Sequence, residues 1–587
     1  MLEQLSWKVG GQQGEGIDST GEIFATALNR QGYYLYGYRH FSSRIKGGHT
    51  NSKIRVSTTP VHAIADDLDI LVAFDQETID LNYHELRQGG IILADSKFHP
   101  KAPESVPVKL LSVPFSEISE EIGSSLMKNM VAVGATAAII GLETETFRDV
   151  IEGLFARKGQ KVVDNNMLAL VRGYEHVKKE LGGTVSEMKM KPGDGVRRMY
   201  LIGNDAIGMG AVAAGCRVMA AYPITPASDI MEYLTKKLPK FGGAVIQTED
   251  EIAAINLAIG ASYAGVRAMT ASAGPGLSLK TEAIGLAGMT ETPLVIVNTQ
   301  RGGPSTGLPT KQEQSDINAM LYSTHGEIPK IVLAPSSVEE AFTDTIEAFN
   351  LAEIYQCPVI LITDLALSLG KQTVDPFDYE AIHIDRGKLL LGQELEPTEN
   401  YFKRYQITDD GISPRVVPGQ KYGIHHVTGV EHAESGHPSE AAPNRKKMME
   451  KRLRKLHNFH MDNALFINAR HEQPDLLLVG LNSTRGTIAE AMERLEAEGL
   501  RCNHVHVRLL MPFPSEQMSP YVASAKQVVV IENNATGQLA DLIKLHVGHR
   551  EKIRHVLKYD GNPFLPGELY QQVKELIGVG YGERVPQ

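Results

Sequence analysis

Val218-Met219-Ala220-Ala221-Tyr222-Pro223-Ile224-Thr225-Pro226 decides how this chain folds: a short apolar run ends abruptly in a turn bracketed by two prolines, and PASDIMEYL then reads as a helix. The same grammar recurs downstream. Ala268–Ala271 leads into Ser272-Ala273-Gly274-Pro275-Gly276, Leu294–Asn298 leads into Arg301-Gly302-Gly303-Pro304-Ser305-Thr306-Gly307, and PVILITDLALS supplies one more apolar run. Apolar runs of this length, without alternation, are strands covered on both faces, which is the signature of a parallel sheet flanked by helices. Each turn therefore falls at a strand's carboxyl end, where open α/β sheets bind their ligands.

Working outward, the alternation restarts twice. Upstream, a strand at Trp7–Val9, a glycine turn and a helix near Ser19–Gln31 open an α/β unit that runs to about Leu181. The polar stretch Gly182–Arg198, with Lys-Pro-Gly-Asp-Gly, has linker composition. Downstream, Pro, Gly, His and charged residues dilute the pattern until the helical charge run NRKKMMEKRLRKL, and DLLLVGL then opens a third unit with a helix at Thr487–Gly499 and strands at His504–Val507 and Gln527–Ile531. The expectation is a multidomain α/β protein with three doubly wound domains: 1–185, a linker 186–198, 199–374, a connector 375–460, and 461–587. At about 150 residues per domain, 587 residues suit that division.

Composition narrows the chemistry. A 42% hydrophobic and 22% charged chain is an ordinary globular one. Its net charge of −11, with no basic stripe to offset it, argues against nucleic acid. The longest nearly pure apolar run, Met130–Leu142, falls short of the roughly 20 residues of a membrane span and reads as a buried helix. No basic-then-apolar leader opens the sequence, so a cytoplasmic protein is expected, with no membrane partner. The 3 cysteines, Cys216, Cys357 and Cys502, are too few and too scattered for an ordinary iron–sulfur cluster.

Three of the turns carry chemistry-bearing residues. Thr225-Pro226 suits the N-cap and first position of the following helix, which by itself accounts for both residues. Glu251 opens IAAINLAIGASYAGV, a stretch of small and apolar residues expected to be buried almost all round, which would put its carboxyl in a low-dielectric pocket able to hold a proton. Thiamine diphosphate needs such a group, since a carboxyl hydrogen-bonded to its aminopyrimidine drives the imino form. Glu249 and Asp250 read instead as charges that complement the helix dipole. Arg301 sets one permanent guanidinium beside flexible backbone, fit for a substrate carboxylate or for a structural salt bridge.

From Tyr222 to Asp316 the order and spacing of YPITP, EIAAINLAIGASYAG, GPG and TQRGGPSTGLPTKQEQSD resemble the pyrimidine-binding domain of the 2-oxoacid:ferredoxin oxidoreductases. The resemblance implies that Glu251 activates thiamine diphosphate, that Arg301 holds the substrate carboxylate, that Thr225 contacts substrate with Thr306 nearby, and that Tyr222, Pro223, Ile224, Gly274 and Gly276 line the cofactor. RYQITDDGISPR and the His/Pro-rich connector resemble the 2-oxoglutarate-type members, and the last unit is similar to a transketolase C-terminal domain.

The first unit resembles the family's γ-type domain. Gly10-Gly11-Gln12-Gln13-Gly14-Glu15-Gly16 departs from G-x-G-x-x-G and lacks the ribose-binding acid that NAD requires. In SRIKGGH, Ser43 matches a family serine near the substrate, and Arg39, His40 and Lys46 offer positive charge for the distal carboxylate of a dicarboxylic 2-oxoacid. His425, His426, His432 and His437 fit no metal-binding spacing, and no metal is assigned to this chain. Gly193-Asp194-Gly195 has no asparagine partner downstream, and Asn533-Asn534 lies in another domain, so the magnesium and diphosphate half of the site is missing. The resemblance places Mg2+, diphosphate and a [4Fe–4S] cluster on a separate β subunit, implies an (αβ)2 heterotetramer, and implies coenzyme A as co-substrate and ferredoxin as electron acceptor. The reaction implied is reversible oxidative decarboxylation of 2-oxoglutarate to succinyl-CoA. Pyruvate or a branched-chain 2-oxoacid, a nicotinamide-dependent dehydrogenase, and a non-catalytic assembly subunit remain the alternatives.

Overall fold

The computed structural model describes residues 1–41, 47–105, 107–182, 187–397 and 400–578. The chain divides into two compact units, one of Met1–Leu201, Leu369–Pro376 and Leu565–Glu568, the other of Ile202–Ser368, Phe377–Phe564 and Leu569–Gln587.

The first unit holds an eight-stranded sheet in the order Lys109–Val113, Leu86–Asp95, Leu68–Ala73, Gln4–Gln12, His49–Ser57, Tyr34–His40, Lys371–Val374 and Met199–Ile202. One half is parallel, as alternation of strand and helix requires, but Gln4–Gln12 pairs antiparallel with His49–Ser57, which in turn pairs antiparallel with Tyr34–His40. Gln4–Gln12 is thus the strand where the sheet changes sense, parallel to Leu68–Ala73 on one side and antiparallel to His49–Ser57 on the other. Its glycine turn is also occupied from within: the Glu15 carboxylate accepts the Gln12 amide at 3.0 Å and pairs with Lys128 at 2.7 Å.

The apolar run at Met130–Leu142 is a buried helix, Lys128–Ile140. It crosses helix Gln160–Glu180 at two reciprocal glycines. A Cβ on Gly134 would stand 1.9 Å from the Leu170 carbonyl oxygen, and one on Gly173 would stand 2.1 Å from that of Val131. Beneath the same helix lies Trp7, the 1 tryptophan of the chain, stacked on Phe24 at 4.4 Å with its indole N–H donated to Thr136 Oγ1. Gly134→Ala should therefore destabilise this unit by about 1–3 kcal/mol through overpacking. Denaturation followed by tryptophan fluorescence with excitation selective for indole checks this, because Trp7 reports on the helix that is disturbed.

The second unit contains two sheets. One has seven strands in the order Leu509–Met511, Ile331–Leu333, Pro358–Asp364, Leu294–Gln300, Ala268–Ser272, Val218–Ala221 and Ala244–Gln247, parallel except at the Leu509–Met511 edge. The other has five, Leu465–Asn468, Cys502–Val507, Leu476–Leu481, Gln527–Glu532 and Ile553–Leu557, parallel except at Leu465–Asn468. One apolar core spans both, with Ile296, Val332 and Ile360 in the same buried cluster as Leu477, Val505 and Val530. The three-sheet α/β architecture read from the alternation is present.

The connector is mostly irregular, but its charge run forms helix Ala442–Arg454. Its histidines pack as rings, His426 on His437 at 3.7 Å and His432 on Tyr405 at 4.1 Å. Among the described residues, no three of His, Cys, Asp and Glu gather as a metal-binding group, and no helix is long and apolar enough to cross a membrane.

Candidate active site

The carboxyl ends of the seven-stranded sheet bring the turns of the second unit together. The first corrects an expectation. Helix Ser228–Lys237 starts at Ala227 with no side-chain cap, so Thr225 and Pro226 are not its cap and first position. Their carbonyls accept side-chain hydrogen bonds instead, that of Pro226 from Asn204 Nδ2 at 2.7 Å and that of Thr225 from Arg301 at 2.8 Å. Tyr222 is 40% exposed, while Pro223, Ile224 and Thr225 are half-buried.

Arg301 follows strand Leu294–Gln300 and is 7% exposed. Its guanidinium donates to two backbone carbonyls, of Thr225 and, at 3.3 Å, of Thr306, whose side chain points to the exposed rim. Its Nε is buried without a partner, and no carboxylate among the described residues forms an ion pair with it. Among the described residues it therefore makes no salt bridge. Burial draws the Arg301 guanidinium below its ordinary value, opposed by nearby Asp316. A permanent cation held this way is pre-set for an incoming anion.

Glu251 begins helix Glu251–Tyr263, which Asp250 caps by accepting the Ala253 amide at 2.8 Å. The helix is not buried all round: Ile252, Asn256 and Gly260 form an exposed stripe one turn apart, because no neighbour within the unit reaches that face. Glu251 itself turns inward and is 8% exposed. It abuts Gly276, where a Cβ would fall 2.9 Å from Glu251 Oε1 and 2.1 Å from Ser272 Oγ. Space, rather than backbone conformation, demands glycine there. A Cβ on Gly274 would likewise stand 2.9 Å from Asp316 Oδ2. Ser272 Oγ and Thr270 Oγ1 are buried without partners beside this glycine turn.

These turns enclose a cavity of about 450 Å³ lined by Gly274, Ser278, Arg301, Asp316 and Asn534 among others. Burial raises the Asp316 carboxyl above the usual range, and a hydrogen bond from Asn298 at 3.1 Å opposes the rise. Asn533 and Asn534 are structural. Asn534 Nδ2 donates to the Gln314 carbonyl and to Glu532, and Gln314 and Asn533 exchange backbone and side-chain hydrogen bonds, so together they clamp the loop that carries Asp316. Asp194 is taken by Arg198 at 2.7 Å. Sequence reasoning did not single out Ser272, Asn298 and Asp316, which gather at these turns, since a polar residue there has no signal until its burial is known.

In the first unit, Arg39 pairs with Asp18 at 2.7 Å at a half-exposed surface and lies over Phe41, while His40 packs edge-on against Tyr38. Ser43 and Lys46 lie outside the described residues.

Residues 209–451 match the family model described as pyruvate flavodoxin/ferredoxin oxidoreductase, thiamine diP-bdg. Residues 6–176 match pyruvate ferredoxin/flavodoxin oxidoreductase, and 474–569 match pyruvate:ferredoxin oxidoreductase core domain II. The chain is 34% identical to a 2-oxoacid:ferredoxin oxidoreductase subunit alpha of a Sulfolobus species, over 98% of each chain. It is 32% identical to the 2-oxoglutarate oxidoreductase subunit KorA of Mycobacterium tuberculosis, covering 98% of this chain and 92% of that one. Its fold matches the 2-oxoglutarate:ferredoxin oxidoreductase of Magnetococcus marinus, a structure with 2-oxoglutarate, coenzyme A and succinyl-CoA bound, with a TM-score of 0.90 at 35% identity over 98% of this chain and 100% of that one. With a buried carboxyl, an unpaired arginine and glycine-lined turns gathered at one sheet edge, and with relatives matching over its whole length, the chain belongs to the family of 2-oxoacid:ferredoxin oxidoreductase alpha subunits.

Proposed function

We propose that this chain supplies the pyrimidine-activating and substrate-holding half of a thiamine-diphosphate-dependent enzyme that converts 2-oxoglutarate and coenzyme A to succinyl-CoA and carbon dioxide, with electrons passing to ferredoxin. The observation that carries the reading is Arg301: a nearly buried cation, gripped by two backbone carbonyls and without an ion pair, at the edge of a cavity that also reaches the glycine turn against Glu251.

The residues present fit the cofactor. Gly274 and Gly276 leave backbone-width space where any side chain would collide with Asp316 or Glu251, and Ser272 and Thr270 carry buried hydroxyls in want of partners. Thiamine diphosphate, when bound, supplies the electron sink for decarboxylation. Glu251 would hold a proton at the aminopyrimidine N1′, which makes the exocyclic amine a base. Tyr222, Pro223, Ile224, Gly274 and Gly276 would form the wall against the ring. Arg301 would fix the substrate carboxylate bidentately, with Thr225 beside it and Thr306 at the rim.

A β subunit would contribute Mg2+, the diphosphate site and the [4Fe–4S] cluster in an (αβ)2 complex. The relatives' names as alpha subunits and the 3 cysteines of this chain, all buried, support that division. The choice of 2-oxoglutarate rests on the KorA relative and on the ligands named for the Magnetococcus structure.

The test is anaerobic co-expression with the candidate β partner and an assay of CoA-dependent viologen dye reduction. Turnover on 2-oxoglutarate is expected. Turnover on pyruvate alone would overturn the substrate, and none with any 2-oxoacid, from a complex with its cofactor and cluster intact, would overturn the catalytic reading.

A further inference from the structure

The five-stranded sheet has a ligand-binding end of its own. Its neighbouring parallel strands Leu476–Leu481 and Gln527–Glu532 send the chain in opposite directions, the first on to Cys502–Val507 at one side and the second to Ile553–Leu557 at the other. The crevice between their carboxyl ends is a topological switch point, where open α/β sheets take their ligands. Here the chain itself fills the crevice. Gln314 Nε2 donates to the Leu481 carbonyl at 3.2 Å, Gln314 Oε1 accepts the Asn533 amide at 2.9 Å, and the Gln314 amide donates to the Asn533 carbonyl at 2.7 Å. The same Nε2 donates to Asp364 Oδ2 at 2.7 Å, at the carboxyl end of strand Pro358–Asp364 of the seven-stranded sheet, and the Gln314 carbonyl accepts from Asn534 Nδ2 at 3.1 Å. Gln314 is wholly buried, and each of its polar groups is paired.

Around Gln314 the chain is extended, and neighbouring side chains of an extended chain point to opposite faces. Gln312 and Gln314 are buried on the face that meets Asn533, while Glu313 and Ser315, followed by Asp316, line the cavity that holds Arg301. From that second face the stretch reaches Arg301 on both sides. The Glu313 carboxylate accepts the Gly303 amide at 2.6 Å, two residues past Arg301, and the Asp316 amide donates to Gln300 Oε1 at 3.0 Å, one residue before it. Apolar packing alone would hold such a stretch without fixing its register, whereas a buried network of directional hydrogen bonds admits one register. We propose that Gln314 is a positioning residue for the 2-oxoacid site: the five-stranded sheet grips Gln314 in its own ligand-binding crevice, and through Glu313 and Asp316 that grip sets the loop that presents Arg301 to the substrate carboxylate. This rests on the function proposed above.

The experiment uses the complete αβ complex, as wild type and as Gln314→Met, which keeps the length of the side chain and loses its hydrogen bonds. Steady-state kinetics give KM and kcat for the 2-oxoacid that wild type turns over and KM for coenzyme A, and amide hydrogen exchange is followed by mass spectrometry in peptides covering residues 300–316. Gln314→Met is expected to raise KM for the 2-oxoacid by about tenfold, with kcat within about threefold of wild type and KM for coenzyme A unchanged. Exchange over residues 300–316 should be faster. A Gln314→Met complex with a lowered thermal midpoint but a wild-type KM for the 2-oxoacid makes the glutamine a fold-stabilising residue only; that result overturns the proposal and leaves the functional reading standing, as does a loss confined to kcat. If Gln314→Met does not assemble, Gln314→Asn, shorter by one methylene, takes its place under the same expectations, and failure of both to assemble overturns the proposal. If wild type turns over no 2-oxoacid, the functional reading falls and takes the proposal with it.

Discussion

Glu251→Ala in the assembled complex should lower kcat by about 10²–10⁴-fold while leaving assembly and thermal midpoint near wild type. The carboxyl is buried against Gly276, and the capping of its helix belongs to Asp250 rather than to it. The damage should therefore fall on chemistry and not on folding. Glu251→Gln is the sharper control. It keeps the shape and can still hydrogen-bond, but it cannot pass a proton, so a proton-sharing role predicts that it loses activity nearly as fully as alanine. Steady-state kinetics with saturating 2-oxoglutarate and coenzyme A, together with C2 exchange of the bound cofactor, separate the outcomes. Full activity in Glu251→Ala would revive the reading of this chain as an assembly subunit with an idle site.

The largest loss of stability is expected at Glu291. This carboxylate is wholly buried and receives Lys451 at 2.7 Å and Lys455 at 2.6 Å, both lysines equally buried, while Arg404 donates to its backbone carbonyl. Burial alone would raise the Glu291 carboxyl, but Lys455, Lys451 and Arg404 together hold it far below the usual carboxylate range. The cluster ties connector helix Ala442–Arg454 to the turn before strand Leu294–Gln300, the strand that delivers Arg301. Glu291→Ala leaves two ammoniums and a guanidinium uncompensated in the interior and should cost about 3–5 kcal/mol. For a domain of this size that is a fall in thermal midpoint on the order of 10 °C. Pairing the change with Lys451→Met should return part of the loss, which a double-mutant cycle measures. The contribution has a definite sign with pH. A carboxyl whose folded value is depressed stabilises above its unfolded value and loses that stabilisation as pH falls, so the gap between wild type and Glu291→Ala should narrow in acid.

Much of the fold could be read locally. Apolar runs without alternation, each ending in glycine or proline, announce parallel strands and their ligand-binding ends, and the strands at Val218–Ala221, Ala268–Ser272 and Leu294–Gln300 lie where that grammar puts them. The burial of Glu251 was legible because a charged residue opening an otherwise apolar stretch is carried inward with it. What local pattern could not supply was partnership. Nothing in the sequence distinguishes the Thr225 carbonyl from any other, yet the hydrogen bond it accepts from Arg301 grips the guanidinium without neutralising it. The stripe Ile252, Asn256, Gly260 reads as core, because small uncharged residues look alike whether a neighbour arrives or not.

The sequence by itself determined the α/β class, the strand ends where glycine- and proline-rich turns collect, and the burial of the Glu251 carboxyl, since these follow from periodicity and from the apolar character of the surrounding stretch. Only the tertiary structure decided that Gln4–Gln12 has an antiparallel neighbour, that Asn533 and Asn534 clamp the loop of Asp316, and that Ser272 and Glu251 meet at Gly276, because each depends on residues far apart in the chain being brought together.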